Sequence, residues 1–281
     1  MTREWRWATT CGVASVVLAG CGGGSDITVS SMVAANPRYS QTTTISLSGR
    51  GLDQGVTVTA DSGCVDMAPV GAATDASAQF TCRITAVGKV RVDARDADGS
   101  SLARLEFKVP TPRVTMTVAQ AERSGSVVIE LDPLSAPQTV DNFLAYVNAN
   151  FYRNVIFHRV VAGFVVQAGG YTAGPTVKPS TRPPIPLEAN NGLTNLRGTI
   201  AMARTTEPNS ATSQFYFNVV DNPDLDYKDD AHPGYAVFGQ VVSGLEVIDE
   251  IAAVPVQPDP PSGLTHLPVT NVTITAAAQS R

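Results

Sequence analysis

Phe157-His158-Arg159-Val160-Val161-Ala162-Gly163-Phe164-Val165-Val166-Gln167-Ala168-Gly169-Gly170 is the stretch on which the reading of this chain turns. Phe-His-Arg alone is a weak signal. It gains weight from three further blocks that follow it in order: Arg197-Gly198-Thr199-Ile200-Ala201-Met202-Ala203-Arg204, Ser210-Ala211-Thr212-Ser213-Gln214-Phe215-Tyr216-Phe217 and Tyr235-Ala236-Val237-Phe238-Gly239-Gln240-Val241. Upstream lie two strand candidates, Val114 to Ala119 and Ser126 to Leu131, with a polar turn from Ala121 to Gly125 between them. Val127, Ile129 and Leu131 share one face of the second strand. A helix follows. Pro137 sits in its first turn, where a missing N–H costs nothing, and Val140, Phe143, Leu144 and Val147 recur at helical spacing. A second helix covers about Gly244 to Ala253, with Leu245, Ile248 and Ile251 on one side. Two strands, a helix, many short strands and a late helix do not alternate as βαβ units. They fit an antiparallel barrel with helices over its open ends.

The four blocks, within a region from about Arg113 to Thr275, resemble the cyclophilin-type peptidyl-prolyl cis–trans isomerases, in particular their bacterial periplasmic branch. The resemblance implies an eight-stranded β-barrel with two helices over residues 113–278. The activity it implies needs no nucleophile, metal or cofactor. Rotation about a peptide bond faces a barrier of about 18–20 kcal/mol because resonance must be broken. For X–Pro bonds the isomers differ by only about 0.5–1 kcal/mol, yet they exchange in tens to hundreds of seconds. A catalyst must therefore hold the twisted amide better than either planar form. In the twisted state the prolyl nitrogen regains its lone pair, and a fixed guanidinium can donate to it.

By position, the resemblance assigns that role to Arg159. Phe164, Val165, Tyr216 and Leu225 would form the apolar proline pocket, with Tyr235 at its rim. Gln167 would bond the substrate backbone and hold Arg159 in place. Ala203 and Arg204 would lie along the peptide groove, His158 would line the site, and Gln214 completes the substrate-binding set. The chain departs from the family in three places. Asp224 precedes Leu225 where eukaryotic members have a Trp that helps bind cyclosporin, which implies weak inhibition. Tyr216 stands where Phe is usual, adding a hydroxyl to the pocket wall. Ala162 replaces a common Pro. The loop from Asp224 to Asp230 is acidic; it reads as a solvated loop or as a selector for basic substrate flanks.

Residues 27–110 read as all-β. Alternating runs at Thr44 to Leu47, Val56 to Thr59, Phe80 to Ile84, Val90 to Val92 and Leu102 to Val109 are separated by turn signals such as Asp61-Ser62-Gly63 and Asp98-Gly99-Ser100. This spacing suggests a small β-sandwich, similar in architecture to bacterial immunoglobulin-like domains. Cys64 and Cys82 form a disulfide or, alternatively, remain two buried thiols. Nothing here suggests chemistry, so the domain reads as a spacer or a module for a protein partner.

Residues 1–20 read as a secretory signal: Arg3 and Arg6, then a short uncharged apolar run from Ala8 to Gly20. Leu18-Ala19-Gly20-Cys21 resembles the bacterial lipobox, which implies lipidation of Cys21 and a membrane anchor, with residues 21–26 as a flexible tether. The alternative is an ordinary cleaved signal. Gly22 favours the outer membrane, so the expected location is the bacterial cell envelope, facing the periplasm. The chain is 43% hydrophobic and 16% charged, which reads as globular, and a formal charge of −5 without a basic run argues against a nucleic-acid partner. Three scattered histidines, His158, His232 and His266, lack ligand spacing. Two functions stay open: a foldase for exported proteins, or a scaffold that grips Pro-containing polypeptides with little turnover.

Overall fold

The computed structural model describes residues 26–281. The expected signal segment, Cys21 and the tether up to Ser25 lie outside the described residues. The chain divides into two compact units between Pro110 and Thr111.

Among its described residues the first unit holds seven strands: β1 (Thr28–Ala35), β2 (Thr42–Arg50), β3 (Thr57–Ala60), β4 (Cys64–Pro69), β5 (Ser77–Ile84), β6 (Gly88–Arg95) and β7 (Ser101–Val109). They form two antiparallel sheets, in the orders β1-β2-β5-β4 and β3-β6-β7. Period-two alternation decides which residues face inward. Val90, Val92 and Ala94 of β6 and Ala103, Leu105 and Phe107 of β7 are buried, while Lys89, Arg91, Arg104, Glu106 and Lys108 face solvent. Two strands, β1 and β4, have no clean alternation in the sequence, and the reason is local. The β1–β2 register slips between Val29 and Ser31, and β4–β5 slips between Val65 and Ala68, where Asp66 takes φ 58°. A slip moves the following side chains to the other face and erases the pattern. Cys64 and Cys82 are bonded to each other, with Cα atoms 5.5 Å apart. The bond joins neighbouring strands of one sheet rather than the two sheets.

The second unit opens with a hairpin, β8 (Arg113–Gln120) and β9 (Arg123–Leu131). Its turn is shorter than the expected Ala121 to Gly125: Gln120 pairs with Arg123, leaving only Ala121 and Glu122 unpaired, with Ala121 at φ 49°. Helix α1 (Pro137–Asn148) follows. Then come β10 (Val155–Ile156), β11 (Arg159–Val161), β12 (Val165–Ala168), β13 (Tyr171–Thr172), β14 (Thr176–Val177), β15 (Thr199–Met202), β16 (Phe215–Asn218) and β17 (Val237–Ser243). Helix α2 (Leu245–Ala252), β18 (Val256–Asp259), β19 (Leu264–Pro268) and β20 (Thr273–Gln279) complete the chain.

Apart from β18 and β19, which pair only with each other, these strands make one curled sheet in the order β11-β12-β16-β15-β17-β9-β8-β20-β10, with β13 and β14 added beyond β10. β10 and β11 are consecutive pieces of one extended segment, separated only by Phe157 and His158. Its start pairs with β20, Val155 opposite Ile274, and its end pairs with β12, Arg159 opposite Gln167. At the handover, Phe157 N donates to Val272 O at 2.9 Å and His158 N donates to Gln167 O at 3.1 Å. The backbone thus stays satisfied while it changes partners.

The core under the sheet is aromatic. Phe143 of α1 lies 5.5 Å from Phe215, 5.2 Å from Phe238 and 5.4 Å from Tyr152, centroid to centroid. The N-terminus of α1 has no side-chain cap of its own, because Ala136 stands at the capping position. Glu188 supplies one from far along the chain. Its carboxylate accepts the N–H groups of Gln138 and Thr139, at 3.1 and 2.8 Å, and the Thr139 hydroxyl at 2.7 Å. An anion there satisfies orphan donors and meets the positive end of the helix dipole.

Candidate active site

The site begins as one row across the sheet. Arg159 is in register with Gln167, Gln167 with Tyr216, Tyr216 with Ala201, and Ala201 with Val237. Directly opposed residues on antiparallel strands share a face. Phe215-Tyr216-Phe217 shows the division: the two Phe rings pack against each other and Phe215 against Phe143, while Tyr216 turns to the other face. On that face Val165, Ala201, Tyr216 and Val237 form a small apolar floor, against which Phe164, Leu193, Ala203, Leu225 and Tyr235 pack.

A cleft of about 330 Å³ opens over this floor. It is lined by Arg159, Phe164, Val165, Gln167, Ala203, Arg204, Tyr216, Leu225 and Tyr235. The Arg159 guanidinium carbon lies 5.6 Å from the centre of the Phe164 ring. Among the described residues that guanidinium makes no hydrogen bond and no ion pair, so its donors are left to a ligand. Arg204 is the opposite case. Its guanidinium lies 4.7 Å from the centre of the Tyr235 ring, its Nε donates to Gly234 O at 2.9 Å, and Nη1 donates to the carbonyls of Thr205 and Thr206. One arginine waits and the other is fastened.

Five expectations change. Gln167 stands opposite Arg159, but its side-chain amide donates to Gln214 Oε1 at 2.9 Å instead of holding Arg159. Gln214 therefore reaches the cleft through Gln167 and does not line it. The glycine pair at the end of the opening stretch makes room for this. Gly169 has φ 101°, and a Cβ there would stand 2.4 Å from Ser213 O; a Cβ on Gly170 would meet the Gln214 side chain at 2.6 Å. His158 does not line the cleft either. It is 3% exposed and packs 4.6 Å from the Tyr171 ring. Burial, reinforced by the Arg159 charge, pushes its pKa down to about 4 against a smaller opposing pull from the acceptor oxygens of Ile156 and Gln214, so the ring is neutral near pH 7.

The Tyr216 hydroxyl is not part of the pocket wall. It is buried and donates to Asn195 Oδ1 at 2.8 Å, leaving the ring as the surface presented to the cleft. Burial, with Tyr235 and Asp226 nearby, drives its pKa far above the usual phenol value, so it stays a donor. The acidic loop is only partly solvated: Asp224 is exposed and pairs with Lys228 at 2.9 Å, outside the cleft, while Asp226 turns inward to Asn195. Sequence reasoning missed Leu193 and Asn195, which lie between the blocks and carry no local pattern. Among the described residues no cluster of His, Cys, Asp or Glu could hold a metal ion.

Comparison with known proteins gives the same direction. The family model described as cyclophilin type peptidyl-prolyl cis-trans isomerase/CLD matches residues 113–279. Peptidyl-prolyl cis-trans isomerase A of Dickeya dadantii is 53% identical over 131 residues, covering 47% of this chain and 68% of the relative. Peptidyl-prolyl cis-trans isomerase B of Escherichia coli is 51% identical over 132 residues, covering 46% of this chain and 80% of the relative. A crystal structure of a Cryptosporidium parvum cyclophilin type isomerase in the presence of the dipeptide Ala-Pro aligns with a TM-score of 0.50 at 24% identity, over 60% of this chain and 99% of that one. That structural likeness speaks to the fold alone.

Proposed function

Because the chain belongs to the cyclophilin-type peptidyl-prolyl cis–trans isomerase family, we propose that its cleft turns over X–Pro bonds in polypeptides with Arg159 as the catalytic residue. The observation that carries this is the free guanidinium of Arg159 beside an apolar wall. The proline ring packs against Phe164, Val165, Tyr216 and Leu225, with Tyr235 at the edge. As the amide twists, its nitrogen becomes an acceptor and Arg159 donates to it. The interaction is absent in the planar ground states, so it lowers the barrier rather than tightening substrate binding. Gln167, oriented by Gln214, and the strand end at Ala203 and Arg204 hold the substrate backbone. No proton moves, which agrees with a His158 that is buried and neutral.

The clients are exported proteins in the cell envelope, and Cys21 anchors the enzyme to the membrane by lipid. The first unit acts as an immunoglobulin-like spacer or recruits a partner. Lipobox-like residues and the Cys64–Cys82 bond support an oxidising, extracytoplasmic location. The test is a protease-free isomerisation assay on Ala-Pro peptides. Wild type accelerates exchange, and Arg159→Ala falls close to the uncatalysed rate. Equal rates for both at the uncatalysed level would overturn the proposal. Palmitate labelling of wild type against Cys21→Ser checks the anchor: label on both proteins, or on neither, would remove it.

A further inference from the structure

Asn195 is 1% exposed, and every polar atom it has is used. Its backbone N–H and its Nδ2 both donate to Asp226 Oδ1, at 2.6 and 2.9 Å. Its carbonyl accepts the N–H of Asn222 at 2.8 Å. Its Oδ1 accepts the Tyr216 hydroxyl at 2.8 Å and Asn218 Nδ2 at 3.2 Å. Asn222 in turn donates from Nδ2 to Phe164 O at 3.0 Å and to Asn218 Oδ1 at 2.8 Å. Between Asn222 and Asp226 lies the short 3₁₀ turn Pro223–Leu225, and Leu225 O accepts the N–H of Tyr235 at 2.9 Å. One residue, through its backbone and its side chain together, thus reaches all four large residues of the apolar wall. It holds Tyr216 directly, Leu225 from both flanks, Phe164 through Asn222 and Tyr235 through Leu225.

We propose that Asn195 and Asp226 are positioning residues of the isomerase, fixing the proline-facing wall at its working distance from Arg159; this rests on the isomerase reading above. The wall meets the proline ring only through short-range dispersion. A gap of about 0.5–1 Å forfeits a quarter to a half of each such contact. Arg159 must reach the prolyl nitrogen only in the twisted state, so a wall that drifts misplaces the ring and the nitrogen together. Leu225 packs against the floor from a short turn whose other residues, Pro223 and Asp224, are exposed, so the bonds at Asn222 and Asp226 fix where that turn lies. An amide suits position 195 because it donates to a carboxylate and accepts from a hydroxyl through one planar group. Asp226 has no cationic partner among the described residues, and its charge strengthens the two N–H bonds it accepts from Asn195.

The experiment compares wild type, Asp226→Ala, Asp226→Asn and Tyr216→Phe on Ala-Pro peptides, well below each protein's melting temperature. Asp226→Ala is expected to raise KM about tenfold with a smaller change in kcat. Asp226→Asn is expected to return KM to within about twofold of wild type, because an amide oxygen accepts the same two N–H bonds. Tyr216→Phe removes only the hydroxyl and should raise KM two- to threefold, with no added effect in the double variant with Asp226→Ala. An unchanged KM in Asp226→Ala overturns the proposal, and so does an Asp226→Asn as impaired as Asp226→Ala. If Asp226→Ala does not fold, an unchanged KM in Tyr216→Phe overturns it. An inactive wild type would instead defeat the isomerase reading.

Discussion

The two units handle polar side chains differently. On the β6–β7 face of the first, Lys89, Arg91 and Glu106 pair across the strands in solvent, as do Asp93 and Arg104, and the inward face holds Val, Ala, Leu and Phe. In the second, Asn195, Asn218 and Asn222 are buried, and they meet beneath one wall of the cleft. Exposed ion pairs stabilise little and can be rearranged at small cost. Buried amides must all be satisfied at once, so they fix one arrangement. The first unit instead takes a covalent cross-link between two strands whose register slips. The difference teaches where this chain needs geometry: a buried polar network lies where a wall must not move, and a surface ladder lies where only the fold must hold.

Four measurements break or sharpen that contrast. Arg159→Ala should lower kcat/KM by about 10²–10³, the usual loss when one preorganised donor to a transition state is removed; a loss under tenfold would mean that the free guanidinium is idle. Replacing Cys64 and Cys82 by Ala should destabilise the first unit by about 3 kcal/mol, the chain-entropy value for a loop of this length. Calorimetry should show the first unit's transition falling, with prolyl isomerisation kept below both transitions.

Acid comes third. His158 has a folded pKa of about 4 against an ordinary 6.5, so between those values the unfolded chain binds a proton that the folded chain does not. The stability tied to its neutral ring is whole above pH 6.5 and is lost as pH falls toward 4, on the order of 2 kcal/mol by pH 5. Urea midpoints of the second unit at pH 7.5 and 5 measure this, and His158→Gln should flatten the difference. Smallest is Asp93→Asn in the first unit, expected to change stability by less than about 1 kcal/mol, an effect that shrinks further in salt. A larger loss would show that the surface ladder is structural after all.

The sequence made the second unit legible where side chains repeat or cluster locally. Val140, Phe143, Leu144 and Val147 announced α1, and Arg159, Phe164, Val165, Gln167, Ala203, Arg204, Tyr216, Leu225 and Tyr235 do meet in one cleft. What stayed hidden depends on neighbours brought together by the fold. Glu188 caps a helix 49 residues before it. Asn195 joins Tyr216 and Asp226 only because β15 pairs with β16 and the following turn folds back. No spacing rule reports such contacts, since each rests on register rather than periodicity. His158 was misread for a related reason. Its neighbour Arg159 faces the cleft, and alternation along an extended segment turns the adjacent side chain the other way.

The handover at residues 155–161 bears on when the site comes into being. Val155 and Ile156 are held by β20, and β20 also pairs with β8, with Ala277 opposite Met116. The first and last strands of the second unit are therefore partners, a pairing of high sequence separation of the kind that slows folding. A chain still emerging, or cut before Thr273, has two unpaired strand edges and lacks the partner that steadies the segment bearing Arg159. A peptidyl-prolyl cis–trans isomerase of this build is thus completed only when β20, the last strand of the second unit, arrives.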